Sequence, residues 1–139
     1  MKRNLIGTVS LVMLSLLLSA TGAFAQSGVT ANVPFNFTVG NSQMAAGCYT
    51  IATLESMNVA AIRDCKRTAS AYSSIQKGYP QDKNPKLVFH HLGGQYFLTE
   101  VRGLGGNMGL TLPTSKLEKE LQIASGPSYR SEEVIVALK

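Results

Sequence analysis

Between residues 29 and 39 the chain reads VTANVPFNFTV, with Val29, Ala31, Val33, Phe35, Phe37 and Val39 at the odd positions and Thr30, Asn32, Pro34, Asn36 and Thr38 at the even ones. Successive side chains of a strand point to opposite faces of its sheet, so this unbroken alternation predicts a strand with one buried face. Pro34 carries no N–H to give to a ladder, which places that strand at a sheet edge or bends it there. Residues 40–42 (GNS) then turn the chain.

Two hairpins follow from local turn chemistry. CYTIATL and VAAIRDC flank ESMN, a tip of ordinary hairpin length. Setting Leu54 opposite Val59 pairs Ile51 with Ile62 and brings Cys48 opposite Cys65. A tip at Met57 and Asn58 would slip this register and separate the cysteines. In residues 86–101 (KLVFHHLGGQYFLTEV), Gly93 and Gly94 supply the positive φ of a two-residue turn. That turn pairs Leu92 with Gln95, His91 with Tyr96, His90 with Phe97 and Phe89 with Leu98. ASAYSSI (69–75) reads as a further strand and is followed by a loop to Pro85. Ser115 and Glu118 have capping-box spacing after Pro113, predicting a short helix over about 116–122. EVIVAL (133–138), apolar on both faces, predicts a last strand inside the sheet. Many short strands, Gly and Pro turns and one small helix give an all-β expectation: a small antiparallel sandwich or barrel with one short helix in the C-terminal half.

Lys2 and Arg3 precede an apolar stretch from Leu5 to about Leu18, followed by SATGAFAQ with Ala23 and Ala25 spaced for signal peptidase. This is the pattern of a secretory signal peptide over residues 1–25, cut before Gln26. The apolar stretch is interrupted by Thr8, Ser10 and Ser15 and falls short of the ~20 residues of a spanning helix, so no integral membrane span is expected after cleavage. No cysteine follows it to accept a lipid. Removing 25 of 139 residues leaves 114, one β domain over 26–139. The charge of +5 falls to +3 without Lys2 and Arg3, and the remaining charges are mixed along the chain. Nucleic-acid binding calls for a clustered basic face, so no nucleic-acid partner is expected. The densest basic run, residues 77–86, holds three lysines, one aspartate and two prolines and reads as a solvated loop.

Export to an oxidising compartment favours a disulfide for the two cysteines. Directly opposed strand residues lie about 4.5–5.5 Å apart at Cα, within disulfide range. Zinc motifs need a second ligand pair and two to four residues between cysteines, not the sixteen found here. The expectation is a Cys48–Cys65 disulfide.

ANVPFNFTVGNSQMAAGCYTI, KLVFHHLGGQYFLTEV and LPTSKLEKEL together resemble a family of small exported bacterial β proteins of uncharacterised activity. Its pattern is VPF-x-F, then AG-x-Y, then KLVF and YFL, then LP-x-S before a charged helix. The resemblance covers most of residues 31–121 and implies export and a shared β fold, with no catalytic or binding residue to carry over. Members usually have a polar residue where this chain has Cys48, so the resemblance makes the disulfide an elaboration of this protein.

Other chemistries find little support. His90 and His91 are the only histidines, and as strand neighbours they point to opposite faces, so they cannot share a metal ion from there. Cross-strand packing near the hairpin end is the expectation for both. GLGGNMG (103–109) resembles a dinucleotide loop only in Gly103 and Gly105; Met108 stands where the third glycine belongs, and no helix starts inside it. No serine sits in a G-x-S-x-G setting, and Glu55, Asp64, Asp82 and Glu100 are scattered, with Glu118, Glu120, Glu132 and Glu133 on the helix or beside the last strand. The N-F-T sequon at Asn36 is a weak pattern. An outer-membrane barrel would need strands of about 9–11 residues and aromatic girdles, which the later strands and the absence of tryptophan do not supply. No catalytic, metal or cofactor-binding residue is assigned. The expected role is an exported, periplasmic or extracellular, non-catalytic β-domain that binds a protein or envelope partner. The alternative is a small secreted enzyme or ligand-binding protein with its site near the 86–101 hairpin and the Gly-rich loop.

Overall fold

The computed structural model describes residues 28–54, 57–78, 83–104, 108–127 and 130–139. The leader and its cleavage position lie outside the described residues, as do residues 55 and 56 of the first hairpin tip and residues 105–107 of the Gly-rich loop.

The alternating segment forms two strands, not one: β1 (Val29–Val33) and β2 (Phe37–Val39). Both expected effects of Pro34 occur. β1 is the edge strand of a four-stranded sheet in the order β1-β4-β5-β6, and the chain then bends so that β2 joins a second, seven-stranded sheet. The alternation itself holds, with Ala31, Val33, Phe37 and Val39 buried and Thr30, Asn32, Pro34 and Asn36 exposed. Thr38 is the exception, a polar position that is buried.

In the first sheet, β4 (Gly47–Leu54) and β5 (Val59–Asp64) pair with Leu54 opposite Val59 and Ile51 opposite Ile62, the register read from the sequence. One step beyond Tyr49 and Asp64, Cys48 and Cys65 are joined by a disulfide with Cα atoms 5.5 Å apart. β6 (Ser70–Ser74) pairs with β5, and after Ile75 the chain changes sheets and continues as β7 (Gln76–Gly78).

The second sheet is built on β8 (Lys86–Leu92) and β9 (Gln95–Leu104). Gly93 and Gly94, at φ 59° and 76°, make the turn between them, and the four pairs next to it match the sequence reading. A bulge then shifts the register beside Val88; Thr99 is the unpaired residue, and its Oγ1 donates to the Val88 carbonyl at 3.1 Å. The other edge of β9 is shared. Its start runs parallel to β2, which in turn pairs with β3 (Ser42–Met44), while its end pairs with β10 (Met108–Thr111), itself next to β7. The β2–β9 contact is the parallel exception in an otherwise antiparallel sandwich.

Helix α1 (Lys116–Ser125) runs one turn longer than expected and stops at Gly126, φ 78°. Its N-cap is as predicted, with Ser115 Oγ accepting from the Glu118 amide at 3.0 Å. β11 (Glu132–Ala137) corrects the sequence reading: it pairs along its length only with β8 and is the outermost strand of its sheet. Its two apolar faces misled because only one is covered; Val134 and Val136 pack on the core, whereas Ile135 is 55% exposed. Just past β11, Leu138 bridges to Ala31, and Thr30 and Lys139 exchange backbone hydrogen bonds at 3.2 and 2.8 Å, tying the edges of the two sheets together.

The core lies between the sheets and includes Val33, Phe37, Ile51, Ile62, Leu87, Phe89 and Val101. Each such side chain contributes about 1.5–3 kcal/mol by leaving water. Its aromatic part is a chain of edge contacts: Phe89 meets Phe35 and Phe37 at 5.1 and 5.4 Å, and Phe37 meets Tyr49 at 5.1 Å.

Candidate functional site

The two histidines point to opposite faces of β8, as strand geometry requires. His91 lies with Phe89 and stacks on Tyr96 at 4.4 Å, and Tyr96 stacks on Phe35 at 3.9 Å, so that Tyr96 is held between two rings. His90 is on the other face, where α1 lies. Packing alone does not describe either residue, because each has a carboxylate partner. His91 Nδ1 is 3.6 Å from the exposed Glu132, its cross-strand neighbour on β11. His90 Nδ1 is 3.0 Å from Oε1 of Glu118, which is 2% exposed. The second half of a capping box would turn the Glu118 side chain back to the N-cap; here it reaches His90 instead.

Other ionisable contacts lie elsewhere in the sheets and along α1. Arg102 Nε donates to Glu100 at 2.7 Å, and Lys116 faces Glu120 at 3.9 Å along α1. Asp64 caps the turn after β5: the Thr68 hydroxyl and amide both donate to it. The Thr68 hydroxyl, helped by the amides of Ala69, Thr68 and Arg67, holds the Asp64 carboxyl below the usual carboxylate range. Burial, reinforced by the negative charge of Asp64, raises the pKa of Tyr49, whose hydroxyl donates to the Ala45 carbonyl at 2.6 Å. The guanidinium of Arg63 donates to the Tyr72 hydroxyl at 3.3 Å and lowers the Tyr72 pKa. Among the described residues no three metal-ligating side chains come together. No helix among them is long and apolar enough to cross a membrane.

Concave surface is found where β9, β2 and β3 meet. A groove of about 370 Å³ is lined by Asn36, Thr38, Gln43, Ala45, Gln95 and Tyr96, among others, and none of its lining residues carries a formal charge. Its position follows from the sequence. Pro34 sends β2 against the start of β9, the Gly40–Asn41 turn folds β3 back on β2, and the Gly93–Gly94 turn ends beside them. Asn36 Oδ1 accepts from the Ala46 amide at 2.9 Å, which fixes the plane of its carboxamide. A second depression of about 530 Å³ shares Thr38 and Gln43 and extends to Lys116, Leu117 and Glu120 of α1.

The sequence reading placed its alternative site near the 86–101 hairpin and the Gly-rich loop. The groove adjoins the turn end of that hairpin, whereas Gly103 lies toward the far end of β9, packed against Pro85. Sequence reasoning missed the groove's edge strand β3 and the role of Glu118. The usable signal for Glu118 was its place between Leu117 and Leu121 on one side of a helix. No protein family, curated protein or solved structure matches the chain.

Proposed function

We propose that this chain is an exported, non-catalytic β-domain that works as a binding module in the periplasm or outside the cell, for a protein or envelope component. The observation that carries the reading is that no residue lining the groove at the β9–β2–β3 junction carries a charge, while the ion pairs His90–Glu118, His91–Glu132, Arg102–Glu100 and Lys116–Glu120 lie outside that lining and apart from one another. Catalysis needs an acid, a base or a nucleophile converging on one bound atom. A binding surface needs only convergent polar groups on a stable frame. The leader pattern, the resemblance to small exported β proteins and the disulfide support the location.

The test uses the exported protein. Its intact mass is expected to begin at Gln26; retention of residues 1–25 removes the export reading. Immobilised, it is expected to retain a saturable component of its own envelope fraction, identified by mass spectrometry. A turnover activity abolished by His90→Gln and His91→Gln, with unchanged thermal unfolding, overturns the non-catalytic reading and turns attention to the β8–β9 hairpin.

A further inference from the structure

We infer that the groove at the β9–β2–β3 junction is a subsite for a neutral oligosaccharide. This rests on the binding-module reading and names the ligand class. Asn36, Gln43 and Gln95, three carboxamide residues, line one groove together with Thr38 and Tyr96. A carboxamide offers a donor and an acceptor in one plane, and a sugar hydroxyl is both at once, so each group can pair without a leftover charge. A charged ligand would enter with no counter-charge in the lining. An apolar ligand would strip water from the carboxamides and return no hydrogen bond.

Two of these residues are held in place before any ligand arrives. Asn36 is fixed by its bond from the Ala46 amide, and Tyr96 is clamped between Phe35 and His91. With both faces of its ring occupied, Tyr96 offers no face for a sugar to stack on. Recognition is therefore by hydrogen bonds and not by a sugar stacked on that ring.

The groove crosses strands and does not follow one. A peptide adding to a sheet runs along one edge strand and uses its main chain, but β3 is three residues long and the groove takes its lining from three neighbouring strands. Through Thr38 and Gln43 the surface continues to α1, where Lys116 and Glu120 offset each other. A chain of several neutral sugar units fits that path.

The experiment is a titration of the isotope-labelled, folded protein followed by amide NMR. The probes are hexamers of glucose in α-1,4 and β-1,4 linkage and of N-acetylglucosamine, with a sulfated oligosaccharide and a neutral hexapeptide for comparison. A neutral sugar is expected to shift the signals of Gln43, Gln95 and the Asn36 carboxamide. Gln43→Ala, on an exposed strand edge, is expected to weaken binding about tenfold, the worth of one or two hydrogen bonds, without moving the unfolding midpoint. Gln95→Glu, which adds a charge at the rim, serves as the second variant and is expected to weaken the same sugar. Shifts centred elsewhere, such as around Tyr72, a preference for the sulfated sugar or the peptide, or no shift with any neutral sugar each overturn the inference. If the envelope fraction still yields a saturable partner, the binding-module reading survives that result; if it yields none, both fall.

Discussion

In the first turn of α1, Glu118 turns a buried carboxylate onto Nδ1 of His90 at 3.0 Å, linking the helix to β8 across 28 residues of sequence. An ionisable group so far from water depends on its one partner. His90→Ala is therefore expected to destabilise the fold by about 1–3 kcal/mol, the cost of an orphaned buried polar group. His90→Gln keeps a donor for Glu118 and is expected to stay within about 1 kcal/mol of the native chain. Urea unfolding of both variants checks this; equal losses would mean that the pair is incidental. With the fold intact, the His90→Gln variant is expected to retain its binding role, since His90 lies on the face of β8 away from Tyr96.

The disulfide closes a loop with a sequence separation of 17. Replacing both cysteines by serine is expected to lower stability by about 3 kcal/mol in the chain-entropy model. Denaturant curves without reductant measure it, and peptide mapping of the exported protein should find residues 48 and 65 linked.

Asp64 gives a pH prediction. Its folded pKa is depressed, chiefly by the Thr68 hydroxyl and secondarily by the amides around it. A carboxyl with a lowered folded pKa favours the fold above its unfolded value, about 3.9, and that contribution disappears as pH falls through the folded value. Thr68→Val is expected to bring the Asp64 pKa up toward the ordinary range, read from an NMR titration, and to reduce this acid sensitivity. An unchanged titration would assign the depression to the amides alone.

Two glycines separate conformational strain from steric clash. Gly94 has φ 76° with open space where a Cβ would stand, so Gly94→Ala is expected to cost about 1–2 kcal/mol, the left-handed penalty alone. At Gly103, φ 77°, a Cβ would lie 2.7 Å from the Pro85 Cα and 2.9 Å from its nitrogen. Gly103→Ala is therefore expected to cost clearly more than Gly94→Ala, since main chain has to move; thermal unfolding of the two side by side decides it.

What was legible in the sequence was whatever depends on near neighbours. Alternation over 29–39, the Gly93–Gly94 turn and the Leu54–Val59 register each rest on residues close in the chain, and the structure reproduces them. β3, β7 and β10 were not legible because three or four residues hold too few alternations to show a period. The parallel contact of Phe37 with Tyr96 was hidden for another reason: it joins segments nearly sixty residues apart, and no local preference encodes it. The groove shares that origin, since its walls meet only after β2 has docked on β9. Ile135 shows the converse limit, an apolar residue left 55% exposed on the outer face of an edge strand.

The tie between Ala31 and Leu138 has a kinetic consequence. It joins positions 107 apart, and a contact that closes so long a loop bears a large entropic cost until the intervening strands have shortened the path. The two hairpins can zip locally, but the seam between the sheets has to wait for both of them. High contact order of this kind slows folding. The same seam makes the domain cooperative against unravelling: stripping either β1 or residues 138–139 from their places breaks the reciprocal bonds between Thr30 and Lys139 and opens one side of the core to water.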